Sequence, residues 1–157
     1  MSWWIASAQR TLSEEIPAAP DQVRDFYVDL NNIKRVHPLV VAVRSTGRDE
    51  SADEYVQTYR VQDRIPLGPF TLRTSYVARL QVPVVGDVIA EARQFPLVRL
   101  NSTVTFDRIE TGTRIVEHMR VHAPLPLAGV TAREATKAHI AMLSGIRRIF
   151  NERRAEG

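Results

Sequence analysis

The chain has 157 residues, of which 44% are apolar and 25% charged, and it has no cysteine. That length and balance fit one soluble domain spanning 1–157, and they exclude a disordered tail, a disulfide scaffold, a thiolate metal site and a cysteine nucleophile. The net charge of +3 arises from 19 Arg and 2 Lys against 18 acidic residues, so the isoelectric point of about 9.7 reports a preference for arginine more than a strongly basic surface.

Residues 4–16 read as a first strand, with Trp4, Ala6, Ala8, Leu12 and Ile16 on one face. Pro20 and Asp21 then suit the opening of a helix, because proline is tolerated in the first turn and a carboxylate complements the positive helix end. Val23, Phe26, Tyr27 and Leu30 follow at helical spacing, and Asn31-Asn32 is expected to end the helix. A short helical turn is expected up to His37-Pro38, since the residue before proline is pushed away from helix.

Strand patterns then recur. Val40–Ser45 is followed by a polar loop containing Gly47, and Glu54–Ile65 ends at Pro66-Leu67-Gly68-Pro69. Phe70–Val82 places Phe70, Leu72, Thr74, Tyr76, Ala78 and Leu80 on one face. Val88–Phe95 ends at Pro96, and Val98–Phe106 puts Val98, Leu100, Ser102, Val104 and Phe106 together. A hairpin loop at Glu110-Thr111-Gly112-Thr113 leads into a last strand, Thr113–Ala123. After Pro124-Leu125-Pro126 a long amphipathic helix is predicted over 127–153, nearly 40 Å at 1.5 Å per residue. Ala135, Ala138, His139, Met142, Ile146 and Ile149 form its inner stripe.

Hairpin-length links imply an antiparallel meander with one apolar face to cover. A flat seven-stranded sheet is too wide for one helix, so the sheet is expected to curl around it and leave a concave apolar space at one end. This order resembles the START-like or SRPBCC superfamily of polyketide cyclase/dehydrase and lipid-transport proteins, an α+β helix-grip fold shared with the birch pollen allergen. The resemblance rests on Ile16-Pro17-Ala18-Ala19-Pro20-Asp21-Gln22-Val23, on Phe26 to Leu30, on His37-Pro38-Leu39-Val40, and on Pro124-Leu125-Pro126 before the long helix. It implies a cavity for hydrophobic molecules. The glycine-rich segment of the plant allergen branch is missing, and Asn32-Ile33-Lys34-Arg35 stands where many bacterial members carry Trp.

Motifs for serine hydrolases, zinc proteases, phosphate loops and dinucleotide folds are absent. His118 and His122 lie four residues apart on a strand, about 13 Å at 3.3 Å per residue, too far to share one metal. No metal or cofactor is expected. Glu117 alternates with Ile115, Met119 and Val121, and Asp63 with Tyr59, Val61 and Ile65, so both carboxylates point to the apolar side. An inward carboxylate is costly unless paired or protonated. Arg93 or a tyrosine hydroxyl is a structural partner; the alternative role is a polar anchor or general acid/base. His139 is either a satisfied core group or a cavity group able to bind a carbonyl or move a proton. Gly145 faces inward, either for a close crossing on the sheet or as a notch for ligand.

The candidate ligand-binding set is Tyr55, Tyr59, Tyr76, Arg93, Ser102, Met119, His139, Met142 and Gly145. His139, Glu117 and Asp63 are the catalytic candidates. The leading reading is a non-enzymatic, cytoplasmic binding module for a lipid, isoprenoid or polyketide-like compound, monomeric or homodimeric. A cyclase/aromatase or dehydrase is the alternative, and a protein-interaction module is a third. No nucleic-acid partner is expected, because no aromatic residues interleave with the one basic cluster, Arg147, Arg148, Arg153 and Arg154. That cluster complements the negative helix end, with transient membrane contact as its minor role.

Overall fold

The computed structural model describes residues 4–94 and 97–157. The elements are β1 (Ile5–Ile16), α1 (Pro20–Val28), α2 (Leu30–Ile33), β2 (Val40–Glu50), β3 (Glu54–Leu67), β4 (Phe70–Pro83), β5 (Val88–Gln94), β6 (Val98–Ile109), β7 (Gly112–Pro124) and α3 (Leu125–Glu156). The strands form one antiparallel sheet in the order β1-β7-β6-β5-β4-β3-β2. β2 to β7 are a simple meander, and β1 closes it by pairing with β7 along its whole length. The curved sheet grips the long helix, as the element order predicts.

Several boundaries differ from the sequence reading for local reasons. α1 stops at Val28, not at Asn31-Asn32. Asp29 takes an extended conformation, and its Oδ1 accepts from the Asn31 N–H at 2.9 Å, so it breaks one helix and caps the next. β2 continues to Glu50 through the segment read as a Gly47 loop, because irregularities between Val40 and Ala42 and between Ser45 and Gly47 absorb the interruption. α3 begins at Leu125, with Pro126 in its first turn, where no N–H is needed. The expected strand end at Phe95-Pro96 lies outside the described residues.

The β6–β7 turn is held under the chain entry to α1. Gly112 has φ +143°, and a Cβ there would lie 2.1 Å from the Ile16 carbonyl oxygen. Only glycine permits this approach. Next to it, the Thr113 hydroxyl donates to the Ala18 carbonyl at 2.7 Å.

The core joins Ile16, Val23, Phe26, Ile115, Met142 and Ile146 between helices and sheet. α3 packs on β1 and β7, α1 on β6 and β7, and α2 on β2. Among the described residues the helices approach β3, β4 and β5 less closely than they approach β1, β2, β6 and β7. Moreover, the concave face of β4 and β5 carries the small side chains Ala78, Ala90 and Ala92, which cannot reach across to α3. Space is therefore left between sheet and helix. No helix among the described residues is long and apolar enough to cross a membrane.

Candidate functional site

A cavity of about 310 Å³ lies between α3, the His37–Leu39 segment and the concave sheet. A smaller recess of about 90 Å³ continues it beneath α1 and α2. His37, Tyr76, Ala92, Leu100 and His139 line both spaces. The wall is mostly aliphatic. At its mouth stand Leu72, Leu127 and Val130, which are 47%, 52% and 41% exposed.

Around this apolar space gather a few polar groups from α1, the α2–β2 connection, β3, β4, β7 and α3. β7 alternation puts Glu117 inward, where it is fully buried. Its Oε2 accepts from the Tyr27 hydroxyl of α1 at 2.6 Å, and its Oε1 meets Nδ1 of His139 from α3. Burial alone would raise the Glu117 pKa, but the His139 charge and the two hydrogen bonds outweigh it and hold the carboxyl below its ordinary range. Burial alone would lower His139, yet the facing Glu117 carboxylate raises it above the usual imidazole value. The same two forces, burial first and then Glu117, push the Tyr27 hydroxyl well up and keep it a neutral donor. His139 thus spends its Nδ1–H on Glu117 and has Nε2 left for the cavity, while its side chain remains 14% exposed.

His37 sits edge-on to His139, with ring centroids 5.4 Å apart. Its Nδ1 accepts from the Leu39 N–H at 3.2 Å, which assigns the proton to Nε2. Burial and the charge of His139 lower its pKa to about 3, so it is a neutral donor at ordinary pH. On β3, Asp63 is buried and its Oδ1 has no hydrogen-bond partner among the described residues. Burial raises its pKa to about 6 against the pull of the Tyr76 hydroxyl and His139. Burial, then Asp63, raises Tyr76 strongly. The site therefore combines an imidazole whose protonated form is favoured by the carboxylate behind it, a second carboxyl poised near neutral pH, and two fixed neutral donors. Among the described residues no group of three or more His, Asp or Glu side chains is arranged to hold a metal.

Of the sequence candidates, His139, Glu117 and Asp63 come together here, and Tyr76, Ser102 and Met142 line the space. Others do not. Arg93 lies on the convex face, where it pairs with Glu91 at 2.7 Å and borders a separate recess with His122. It neither reaches the cavity nor partners Glu117, because β5 presents Ala90 and Ala92 inward and so turns Arg93 outward. Tyr59 is a core residue whose hydroxyl donates to the Val28 carbonyl at 3.4 Å. Tyr55 lies under the Arg48 guanidinium at 3.8 Å. Met119 is buried but does not line the cavity. Gly145 is neither a ligand notch nor a crossing on the sheet: a Cβ there would meet the Val36 side chain at 2.9 Å, so the helix is close to the α2–β2 connection. Within the C-terminal arginine cluster, Arg147 binds Glu14 at 3.1 Å, and Arg153 lies over the Phe150 and Phe26 rings, away from the cavity mouth.

Sequence reading missed two members of the site. Tyr27 registered only as an apolar helix position, and His37 only as a helix stop before Pro38. The proximity of His37-Pro38 to a strand start was the one available signal.

Comparisons with known proteins agree with this architecture. The family model described as "Polyketide cyclase / dehydrase and lipid transport" matches residues 7–150. No curated protein matches the sequence. Among solved structures, the Zhui aromatase/cyclase from Streptomyces sp. R1128 is 11% identical, with 95% of each chain covered and a TM-score of 0.69. The di-domain ARO/CYC StfQ from the steffimycin biosynthetic pathway is 12% identical at a TM-score of 0.72, with 97% of this chain and 53% of that chain covered. A STAR-related lipid transfer protein from Xanthomonas axonopodis is 15% identical at a TM-score of 0.67, with 96% of each chain covered. At these identities the likeness is one of fold. The match to the family model over nearly the whole chain goes further: the chain belongs to the polyketide cyclase/dehydrase and lipid transport family.

Proposed function

We propose that the protein binds a hydrophobic small molecule in the cavity, with a carbonyl or hydroxyl end against His139, His37 and Asp63. One observation carries this reading: polar groups with unused hydrogen-bonding capacity, among them Asp63 Oδ1, which has no partner among the described residues, face a mainly apolar space of about 310 Å³. Buried polar atoms are normally satisfied, and a ligand oxygen would satisfy these. Burial of apolar ligand surface supplies the affinity, at about 25 cal/mol per Å² before the costs of association. Ala92 lines both spaces, so Ala92→Trp fills the cavity from the sheet side. Organic extraction and mass spectrometry of the purified protein should release a hydrophobic compound from the wild type and none from Ala92→Trp. Equal yields from both, or none from either, would count against cavity binding.

A second reading is an acid/base enzyme of the cyclase or dehydrase type, favoured by the carboxylate-backed imidazole. His139, with its pKa raised, donates a proton through Nε2 to a ligand oxygen, and Asp63, ionised above about pH 6, accepts one from a neighbouring carbon or hydroxyl. His139→Ala and Asp63→Asn should then abolish turnover while a bound compound is still recovered. Unaltered turnover in both would remove them from the chemistry.

A further inference from the structure

The cavity mouth is ringed by exposed apolar side chains. Of thirteen exposed large apolar residues among the described residues, seven stand at this end of the sheet: Trp4, Phe70, Leu72, Leu97, Leu125, Leu127 and Val130. Antiparallel topology gathers them from four places, namely the start of β1, the β3–β4 turn, the start of β6 and the first turns of α3. Phe70 is 74% exposed at the tip of a two-residue turn and touches no core. Such a concentration is unusual for a surface that faces only water.

The charges just behind these tips are mainly positive, Glu134 at the cavity wall, 3.9 Å from Arg133, being the acidic exception. Segments 64–73, 97–99 and 123–133 contain Arg64, Arg73, Arg99 and Arg133 and no Asp or Glu. On the convex face, Arg64 stands directly opposite Arg73, Arg93 opposite Arg99, and Arg44 opposite Arg60. The strand register aligns Arg44, Arg60, Val77, Arg93, Arg99 and His122 in one row across the sheet. Like charges directly opposite on neighbouring strands destabilise a sheet. Glu91, on Arg93, is the acidic residue that relieves this row. A fold that tolerates such repulsion behind an apolar rim is suited to an anionic partner with an apolar interior.

We propose that the mouth end docks on an anionic lipid bilayer, with the apolar tips in the acyl boundary and the arginines at headgroup depth. The spacing fits: Arg73 is three residues from Phe70, about 10 Å along the strand at ~3.3 Å per residue, comparable to the depth of the interfacial zone. Docking in this pose opens the cavity directly onto the hydrocarbon, so an apolar ligand passes between them without crossing water. The surface also differs from the C-terminal arginine cluster, whose Arg147 and Arg153 are engaged within the chain. A soluble acidic protein would satisfy the arginines but would leave a ring of tips from four separate segments to be matched by one convex patch.

Flotation of the full chain with vesicles tests this. The probes are phosphatidylcholine vesicles and vesicles of phosphatidylcholine with 30% phosphatidylglycerol, each at low and high salt. The chain should float with the anionic vesicles at low salt and stay behind with the neutral ones. Arg64→Gln/Arg73→Gln should weaken partitioning roughly 30-fold, the share of two arginines near an anionic surface. Phe70→Ser/Leu127→Ser should weaken it at least about tenfold through lost apolar burial. All four positions are exposed, so neither double variant should unfold below the wild type, and the arginine variant, relieved of the Arg64–Arg73 repulsion, should unfold at or above it. Wild-type protein that fails to float, or either double variant floating like the wild type, overturns the proposal. Retention on an immobilised acidic protein without vesicle binding also overturns it, in favour of a protein partner.

Discussion

Substituting Asp63→Asn tests the electrostatics of the cavity without changing its shape. Asp63 is 9% exposed, and burial raises its pKa from the ordinary 3.8 to about 6. A raised pKa means that the native state holds the proton more tightly than the unfolded chain does. The corresponding stability is therefore fully present below about pH 3.8 and is lost as pH rises through about 6. Two pKa units correspond to about 3 kcal/mol. Asparagine cannot ionise, so it escapes this loss but carries a pH-independent cost or gain from its amide. The difference between its effects at pH 8 and pH 4 isolates the charge. At pH 4 the unfolded carboxyl is already partly ionised, so Asp63→Asn should be more favourable at pH 8 than at pH 4 by about 2.4 kcal/mol. Thermal unfolding at both pH values would read this as a relative gain of roughly 5–10 °C for a domain of this size. An effect that is the same at both pH values would refute the reasoning, because it would mean that Asp63 titrates as a solvated carboxylate.

His37 should stay neutral in its Nε2–H form down to about pH 4, visible in nitrogen-edited NMR; an imidazolium at pH 6 would contradict the burial argument. Because its pKa is depressed, its contribution is present above the ordinary imidazole value and is lost as pH falls toward 3, opposite in sign to Asp63. Glu117→Gln removes the carboxylate that holds His139 up, so the His139 titration should move to lower pH. Tyr27→Phe removes a hydrogen bond to a charged group and should cost about 1.5–3 kcal/mol in urea denaturation. Gly145→Ala should destabilise by about 1–3 kcal/mol through overpacking against Val36, despite alanine's better helix propensity, and Val36→Ala should rescue it. An additive double mutant would show that the two do not touch.

Period and punctuation made the fold legible. Strand alternation around Glu117 and Asp63 and the stripe containing His139 were enough to aim three titratable groups at one space. Their mutual arrangement was not legible, because it depends on where α3 crosses β7. Parity along β5 already turns Arg93 outward once Ala90 and Ala92 are taken as the inner face, so that assignment was open to correction from sequence. Tyr27, His37 and the Gly145–Val36 contact were not. Each depends on how α1 and the α2–β2 connection lean over the sheet, which Asp29 decides by ending α1 early. The β2 bulges were hidden for a similar reason: Gly47 looks like a loop residue unless the β3 partner strand is known.

The central claim is that the cavity takes a hydrophobic molecule whose polar end meets His139 and Asp63. A crystal structure with 2-naphthol, a rigid aromatic bearing one hydroxyl, tests it most directly. The account predicts the rings beside Ala92 and Leu100 and the oxygen within hydrogen-bond distance of His139 Nε2 or Asp63 Oδ1. An empty cavity at saturating probe, or rings held with the oxygen turned to the mouth, would contradict it.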